Sequence, residues 1–234
     1  MIKIRAFRAI DDYDACMKFI EGHRRLLEIH FGVAKVTSTN IDWVHSENTI
    51  VIIVEDETGE KVYGGARVQM VDGKVQLPIE HALGHYDPKV YEYVTQGCAE
   101  ICGMWNSMEV AGMGIGSLIL CRVCVSIVNQ LPINKIFVLC APVTTRMGKR
   151  VGAVVEENLG DKGIFFYPKD DFVATAMAIH DCDVLSHAEE NERINIFELR
   201  EHPNQIKNEK GPKGEYQVEY QLLIPNNQYH KSIN

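Results

Sequence analysis

Polar and apolar residues alternate over 2–7, Ile-Lys-Ile-Arg-Ala-Phe, and this period of two predicts a short strand with one buried face. Asp11 and Asp12 then offer an N-cap. Met17, Ile20, Leu27 and Phe31 fall near one helical stripe, which Gly32 closes as a C-cap. Residues 49–54, Thr-Ile-Val-Ile-Ile-Val, predict a buried strand, and a polar turn over 55–60 leads to a returning strand over 62–71. Leu77-Pro-Ile-Glu80 reads as extended and 88–95 as a short helix. Residues 98–105 predict a further strand. The segment 117–129 is apolar almost all round, as a buried helix is, and 135–141, Lys-Ile-Phe-Val-Leu-Cys-Ala, predicts a buried strand after it. Strand, glycine turn, helix, strand is the order of a βαβ crossover with parallel neighbours. Residues 142–160 read as helical and 164–167 as a strand. Alternation predicts strands over 192–200 and 216–224, with the polar segment 204–214 an exposed loop between them.

Composition narrows the class. A chain of 234 residues suits one large domain, with 1–160 as its core and 161–234 as strands and loops completing the sheet. Hydrophobic residues at 46% and charged residues at 24% are those of a folded globular protein. The net charge of −8 gives no broad electrostatic attraction to DNA or RNA, and no nucleic-acid partner is expected; a cationic amine is compatible. The seven cysteines are odd in number and sit mostly in apolar runs, which predicts free thiols in a reducing, cytoplasmic setting. The N-terminus has no apolar h-region and no run of about 18 apolar residues occurs, so neither a signal peptide nor a membrane span is expected. A homodimer is compatible with this composition. His180-Asp-Cys-Asp-x3-His187 has ligand residue types without a zinc spacing, so no metal is expected. Cys121-x-x-Cys124 lies mid-helix and is not read as a redox pair.

Gly112-Met-Gly-Ile-Gly-Ser117 is the most informative local feature. Glycines there allow close approach of a ligand to the backbone, and the N–H groups of the first helical turn have no partner inside the helix. Together they form an anion site suited to a pyrophosphate. The alternative is a tight turn that only packs a helix on a sheet. A Rossmann turn would ask for an acidic residue at the end of the next strand, and 135–141 has none; a P-loop would end in Gly-Lys-Ser/Thr, and Gly116-Ser117-Leu118 lacks the lysine.

Ala99-Glu-Ile-x-x-Met104 followed by Val110-Ala-Gly-Met-Gly-Ile-Gly-Ser-Leu-Ile-Leu120 resembles the central motif of GNAT acyltransferases. The resemblance covers 2–160. It implies an α/β fold with a mixed, mostly antiparallel sheet, one splayed parallel strand pair and helices on both faces. It also implies that Met113, Gly114, Ile115, Gly116 and Ser117 bind the pyrophosphate of acetyl-CoA or another acyl-CoA. Two positions depart from the family: Ala111 stands where a Gln or Arg is usual, and Gly148 where many members carry an acidic tyrosine. Gly65-Ala-Arg-Val-Gln-Met, Leu77-Pro-Ile-Glu80 and Ala99-Glu-Ile101 are similar to the branch of N-acyl amino acid and acyl-homoserine-lactone synthases, with Cys102-Gly103-Met104 in place of an arginine common there.

The implied activity is direct transfer of an acyl group from acyl-CoA to a small-molecule or peptide amine. The alternatives are a longer-chain acyltransferase using acyl carrier protein, and a non-catalytic acyl-CoA sensor. Glu100 is the candidate general base, since an ammonium acceptor must lose a proton before it attacks a thioester, or a solvated or structural carboxylate at a strand start. Arg146, Lys149 and Arg150 share one helical face and are candidate phosphate contacts, or a solvated face. His23-Arg24-Arg25 reads as a solvated face, and the acceptor site is expected in loops such as 33–47 and 168–190.

Overall fold

The computed structural model describes residues 1–32 and 40–225. Among the described residues ten strands form one mixed sheet. They are β1 (Ile2–Arg8), β2 (Thr49–Asp56), β3 (Val62–Met70), β4 (Cys98–Asn106), β5 (Lys135–Cys140), β6 (Val154–Val155), β7 (Ile164–Phe166), β8 (Val173–Ile179), β9 (Asn204–Gly211) and β10 (Gly214–Gln221). Their order across the sheet is β6-β8-β5-β4-β3-β2-β1-β10-β9, with β7 paired to β8. The helices are α1 (Tyr13–Phe31), α2 (Pro78–Leu83), α3 (Lys89–Tyr93), α4 (Leu120–Ser126), α5 (Pro142–Arg150) and α6 (Glu190–Glu201).

The hydrophobic pattern accounts for the core. β2 is buried from Thr49 to Glu55, as a central strand covered on both faces must be. On one face, α4 and α6 pack through Val123, Ile196 and Leu199. On the other, α1 packs Phe19 against Trp43 and Trp105, and α2 packs beside Phe137. The expected caps of α1 are present: Asp12 Oδ1 accepts from the Ala15 amide at 3.0 Å, and Gly32 takes φ of 56°.

Several expectations need correction. The segment 192–200 is not a strand but lies in α6. Its buried positions, Glu192, Ile196, Leu199 and Arg200, follow helical spacing, which the coincidental Ile194-x-Ile196 alternation disguises. The segment 204–214 is not a loop but holds β9, an edge strand that leaves Asn204, Asn208 and Lys210 exposed. β8 was hidden in the presumed acceptor loop 168–190, and α5 stops at Arg150 rather than near 160. Pro78 starts a helix where an extended segment was expected, because proline suits the first helical position. The expected parallel pair is β4 with β5; β1 with β10 is a second.

Candidate active site

β4 and β5 pair only as far as Ile101↔Val138, although β4 continues to Asn106 and β5 to Cys140. The cause lies on the other side of β4. There Arg67 faces Cys102 and Gly65 faces Trp105, so two residues of β4 oppose one of β3. Gly103, at φ of 62°, supplies the left-handed position such a glycine bulge needs. The bulge begins two residues after the last β4–β5 pair, and past that pair the two strands no longer form a ladder.

β4 then leads through a short turn at Met108–Val110 into the glycine segment. Gly112 and Gly114 have φ of 81° and 83°. The helical run begins with a π turn over Ile115–Ile119, where the Ile119 amide donates to the Gly114 carbonyl at 3.2 Å, and continues as α4. A Cβ at Gly116 would fall 1.8 Å from Asn106 Oδ1, so this glycine lets the turn close on the end of β4. A Cβ at Gly114 would meet nothing nearer than Gly211 at 3.9 Å. The Met113 amide is spent within the turn, on the Val110 carbonyl at 3.1 Å. Ile115 and Gly116 occupy the first-turn positions whose amides have no partner within a helix. Ser117 belongs to the same turn; its side chain lies outside the described part of the structure.

The β9–β10 hairpin docks on this turn. The Lys213 amide donates to the Gly112 carbonyl at 3.0 Å, and the Tyr216 hydroxyl donates to the Met113 carbonyl. Glu209 ties the hairpin to α4. Arg122 Nη1 reaches Glu209 Oε2 at 3.0 Å and its Nε reaches Glu192 Oε2 at 2.9 Å, all three residues buried.

The three basic candidates on α5 divide. Arg146 and Lys149 are exposed, on a helix that packs beside the 115–119 turn. Arg150 is engaged elsewhere, donating to Glu189 at 2.9 Å and Glu192 at 3.0 Å. Its expected phosphate role meets a structural ion-pair network instead. Gly148 is buried, and a Cβ there would sit 3.5 Å from Met177 Sδ and 3.7 Å from Cys140 Sγ.

Glu100 lies on β4 opposite Gln69 and is 2% exposed. Its Oε2 accepts from the Ile79 amide at 2.7 Å, which satisfies an open N–H at the start of α2. Burial raises its pKa to about 8. By register Arg67, Gln69, Glu100 and Cys102 share one sheet face. Arg67 and Gln69 form the floor of a cleft of about 460 Å³, walled by Trp43, Asn48, Asp72 and His81. Part of the expected 33–47 acceptor loop, Asn40–Glu47, borders this cleft; 33–39 lie outside the described residues. His23, read as solvated, is buried, and burial and then Arg67 hold its pKa down to about 4, so it is neutral. Arg24 and Arg25 are exposed and pair with Glu21. Arg67 stands in the sequence only within Gly65-Ala-Arg-Val-Gln-Met, and its signal there is an arginine in a largely apolar strand.

Among the described residues no group of three or more His, Cys, Asp or Glu could hold a metal ion, and His180 bonds Glu156 at 2.8 Å. Also among them, all seven cysteines are free and no helix is long and apolar enough to cross a membrane.

No protein-family profile matches the chain, and no curated protein matches its sequence. Solved structures do match. FeeM, an N-acyl amino acid synthase from uncultured soil microbes, is 13% identical over 80% of this chain and 95% of that one, with a TM-score of 0.57. BjaI, a CoA-dependent acyl-homoserine lactone synthase solved with SAM and isopentyl-CoA, is 14% identical over 91% and 95%, with a TM-score of 0.58. An acyl-CoA N-acyltransferase from Pseudomonas aeruginosa is 11% identical over 76% and 99%, with a TM-score of 0.53. The fold is that of the GNAT-like acyltransferases.

Proposed function

We propose that the protein is an N-acyltransferase moving an acyl group directly from acyl-CoA to an amine. One observation carries this reading: the parallel β4–β5 ladder ends at Ile101↔Val138, next to the bulge at Gly103, as a splayed pair with a wedge for a thioester would, and the same strand runs on into the glycine turn. A thioester chain laid along β4 in the wedge would put its diphosphate at the amides of the turn. The turn favours CoA over an acyl carrier protein as donor, because CoA brings a pyrophosphate where the carrier's arm has a single phosphodiester. Isopentyl-CoA in BjaI and the acyl-transfer names of the neighbours support the same class.

The amine nitrogen would attack the thioester carbonyl, whose oxygen can lie on a β4 amide as charge builds on it. The C–N bond forms, the nitrogen gives up its second proton to solvent as the C–S bond breaks, and the departing CoA sulfur takes up a proton from solvent. Glu100 would accept the ammonium proton through one water, since its carboxyl is enclosed rather than open to the cleft. Arg146 and Lys149 would face the cofactor's phosphates as exposed cations at the mouth.

Calorimetric titration with acetyl-CoA, decanoyl-CoA and free CoA tests the donor site. Single-turnover transfer to an amine library tests the chemistry. Binding of all three with transfer of an acyl group is expected. Binding without transfer would indicate a sensor, and no binding would remove the donor assignment.

A further inference from the structure

The glycine turn receives one side chain from far along the chain. The β9–β10 hairpin closes on Pro212 and Lys213, since Gly211 pairs with Gly214. The Lys213 amide is fixed to the Gly112 carbonyl at 3.0 Å. Its side chain then runs across Gly112: a Cβ there would fall 2.8 Å from Lys213 Cε and 3.1 Å from its Cδ and Cγ. Gly112, at φ of 81°, leaves room for that stem, and the ammonium follows Cε at the edge of the turn.

Exposure alone would leave Lys213 an ordinary solvated lysine. Its surroundings set it apart. Lys61, Lys135 and Lys207 each pair with a glutamate. Among the described residues Lys213 makes no ion pair and no side-chain hydrogen bond, although the chain has 32 acidic side chains against 24 lysines and arginines. The two glutamates closest to this junction are committed elsewhere. Glu109 pairs with Lys61, and Glu209 holds Arg122 and the Tyr220 hydroxyl.

The turn itself brings no cation. Residues 108–118, Met-Glu-Val-Ala-Gly-Met-Gly-Ile-Gly-Ser-Leu, hold one glutamate and no lysine or arginine. A doubly charged diphosphate at its amides would meet backbone dipoles there, with positive charge only from neighbouring elements. α5 lies on one side with Arg146 and Lys149, and the hairpin tip lies on another with Lys213. Of these, Lys213 is the one whose backbone is bonded to the turn. A lysine ammonium is a compact point charge that suits phosphate oxygens. Lys210 gives the contrast. It is exposed on the same hairpin, but in a strand of period two it faces away from Glu209 and Gly211, the residues directed at α4 and the turn.

We propose that Lys213, carried in by the C-terminal hairpin, is a diphosphate-binding cation of the donor site, so that the site is completed by a residue about 100 positions beyond the glycine turn. This rests on the acyl-CoA reading above. Calorimetric titration tests it with CoA and with dephospho-CoA, which keeps the diphosphate and lacks the 3′-phosphate. The proteins are the wild type, Lys213→Gln, Lys213→Arg and Lys210→Gln, each checked for folding by circular dichroism. Lys213→Gln is expected to weaken both ligands alike, by about tenfold. Lys213→Arg should restore most of that affinity. Lys210→Gln removes the same charge from the same hairpin and should leave both ligands within about twofold of the wild type. The dependence of the dissociation constant on salt should also be shallower in Lys213→Gln than in Lys210→Gln. A loss with CoA but not with dephospho-CoA would place Lys213 on the 3′-phosphate and overturn the diphosphate assignment. An equal loss in Lys210→Gln would reduce the effect to net charge and overturn it as well. Wild-type affinity in folded Lys213→Gln would overturn the proposal and leave the donor reading standing. No binding of either ligand to the wild type would overturn the donor reading, and the proposal with it.

Discussion

Glu100 illustrates what burial does to a single side chain. Its ordinary carboxyl would be ionised at neutral pH, but burial raises the pKa to about 8, against weaker pulls from the Ile79 amide and Arg67. The folded pKa lies above the unfolded one. The stability this group contributes is therefore fully present below the unfolded value and is lost as pH rises through about 8. Glu100→Gln removes the titration and keeps an oxygen for the Ile79 amide. The wild type should lose stability relative to Glu100→Gln between pH 5 and pH 9, as read by urea unfolding; parallel pH profiles would exclude a raised pKa. If Glu100 is the base, turnover should climb toward pH 8 in the wild type and collapse in the variant with acyl-CoA affinity intact. A second residue-scale prediction concerns the turn. Gly114 has free space and a positive φ, whereas Gly116 touches Asn106. Gly114→Val should fold, with strain on the order of 1–3 kcal/mol, and lose acyl-CoA binding by calorimetry. Unchanged affinity in the folded variant would remove the pyrophosphate assignment. Gly116→Val should destabilise the fold itself, so loss of binding there would carry no information.

At the scale of elements, α4 is the hub. Its buried Arg122 joins Glu192 of α6 and Glu209 of β9, and the Tyr220 hydroxyl on β10 also donates to Glu209 at 2.8 Å. Removing the cation leaves two buried carboxylates facing each other. Arg122→Met should destabilise the protein by roughly 3–5 kcal/mol, measured by chemical denaturation; a change within error would mean the pair is not buried in solution. The same elements mark where sequence reading failed. α4 was legible because a helix apolar on every side can only be internal. α6 and β9 were not. Each is held by a charged residue, Glu192 or Glu209, whose partner sits about 70 to 90 positions away, and local periodicity carries no trace of such a partner. β1 to β5 were legible for the opposite reason, since each buries its own apolar residues beside sequence neighbours.

For the whole molecule, the glycine turn was visible as a motif, but its surroundings were not. The C-terminal hairpin lies at the far edge of the strand order, next to β1, yet its tip returns to the turn between β4 and α4. Nothing in the spacing of residues 211 and 113 announces that contact. Gly211 is what permits it: a Cβ there would fall 2.2 Å from the Met113 carbonyl oxygen and 2.5 Å from its carbon. These are backbone atoms, so they cannot swing aside as a side chain would. Gly211→Val must lift the hairpin tip or displace the turn. Either movement strains the bond from the Lys213 amide to the Gly112 carbonyl and the one from the Tyr216 hydroxyl to Met113. The hairpin itself should survive, because Glu209 and Tyr220 anchor it farther down and β10 still pairs with β1. The expected result is a folded protein, judged by circular dichroism, whose dissociation constant for acyl-CoA rises about tenfold or more, equivalent to a loss of about 1.4 kcal/mol. The same loss should appear as a smaller melting shift at fixed acyl-CoA concentration. Acyl-CoA affinity equal to wild type in folded Gly211→Val would show that the hairpin merely rests on the turn and does not set its shape.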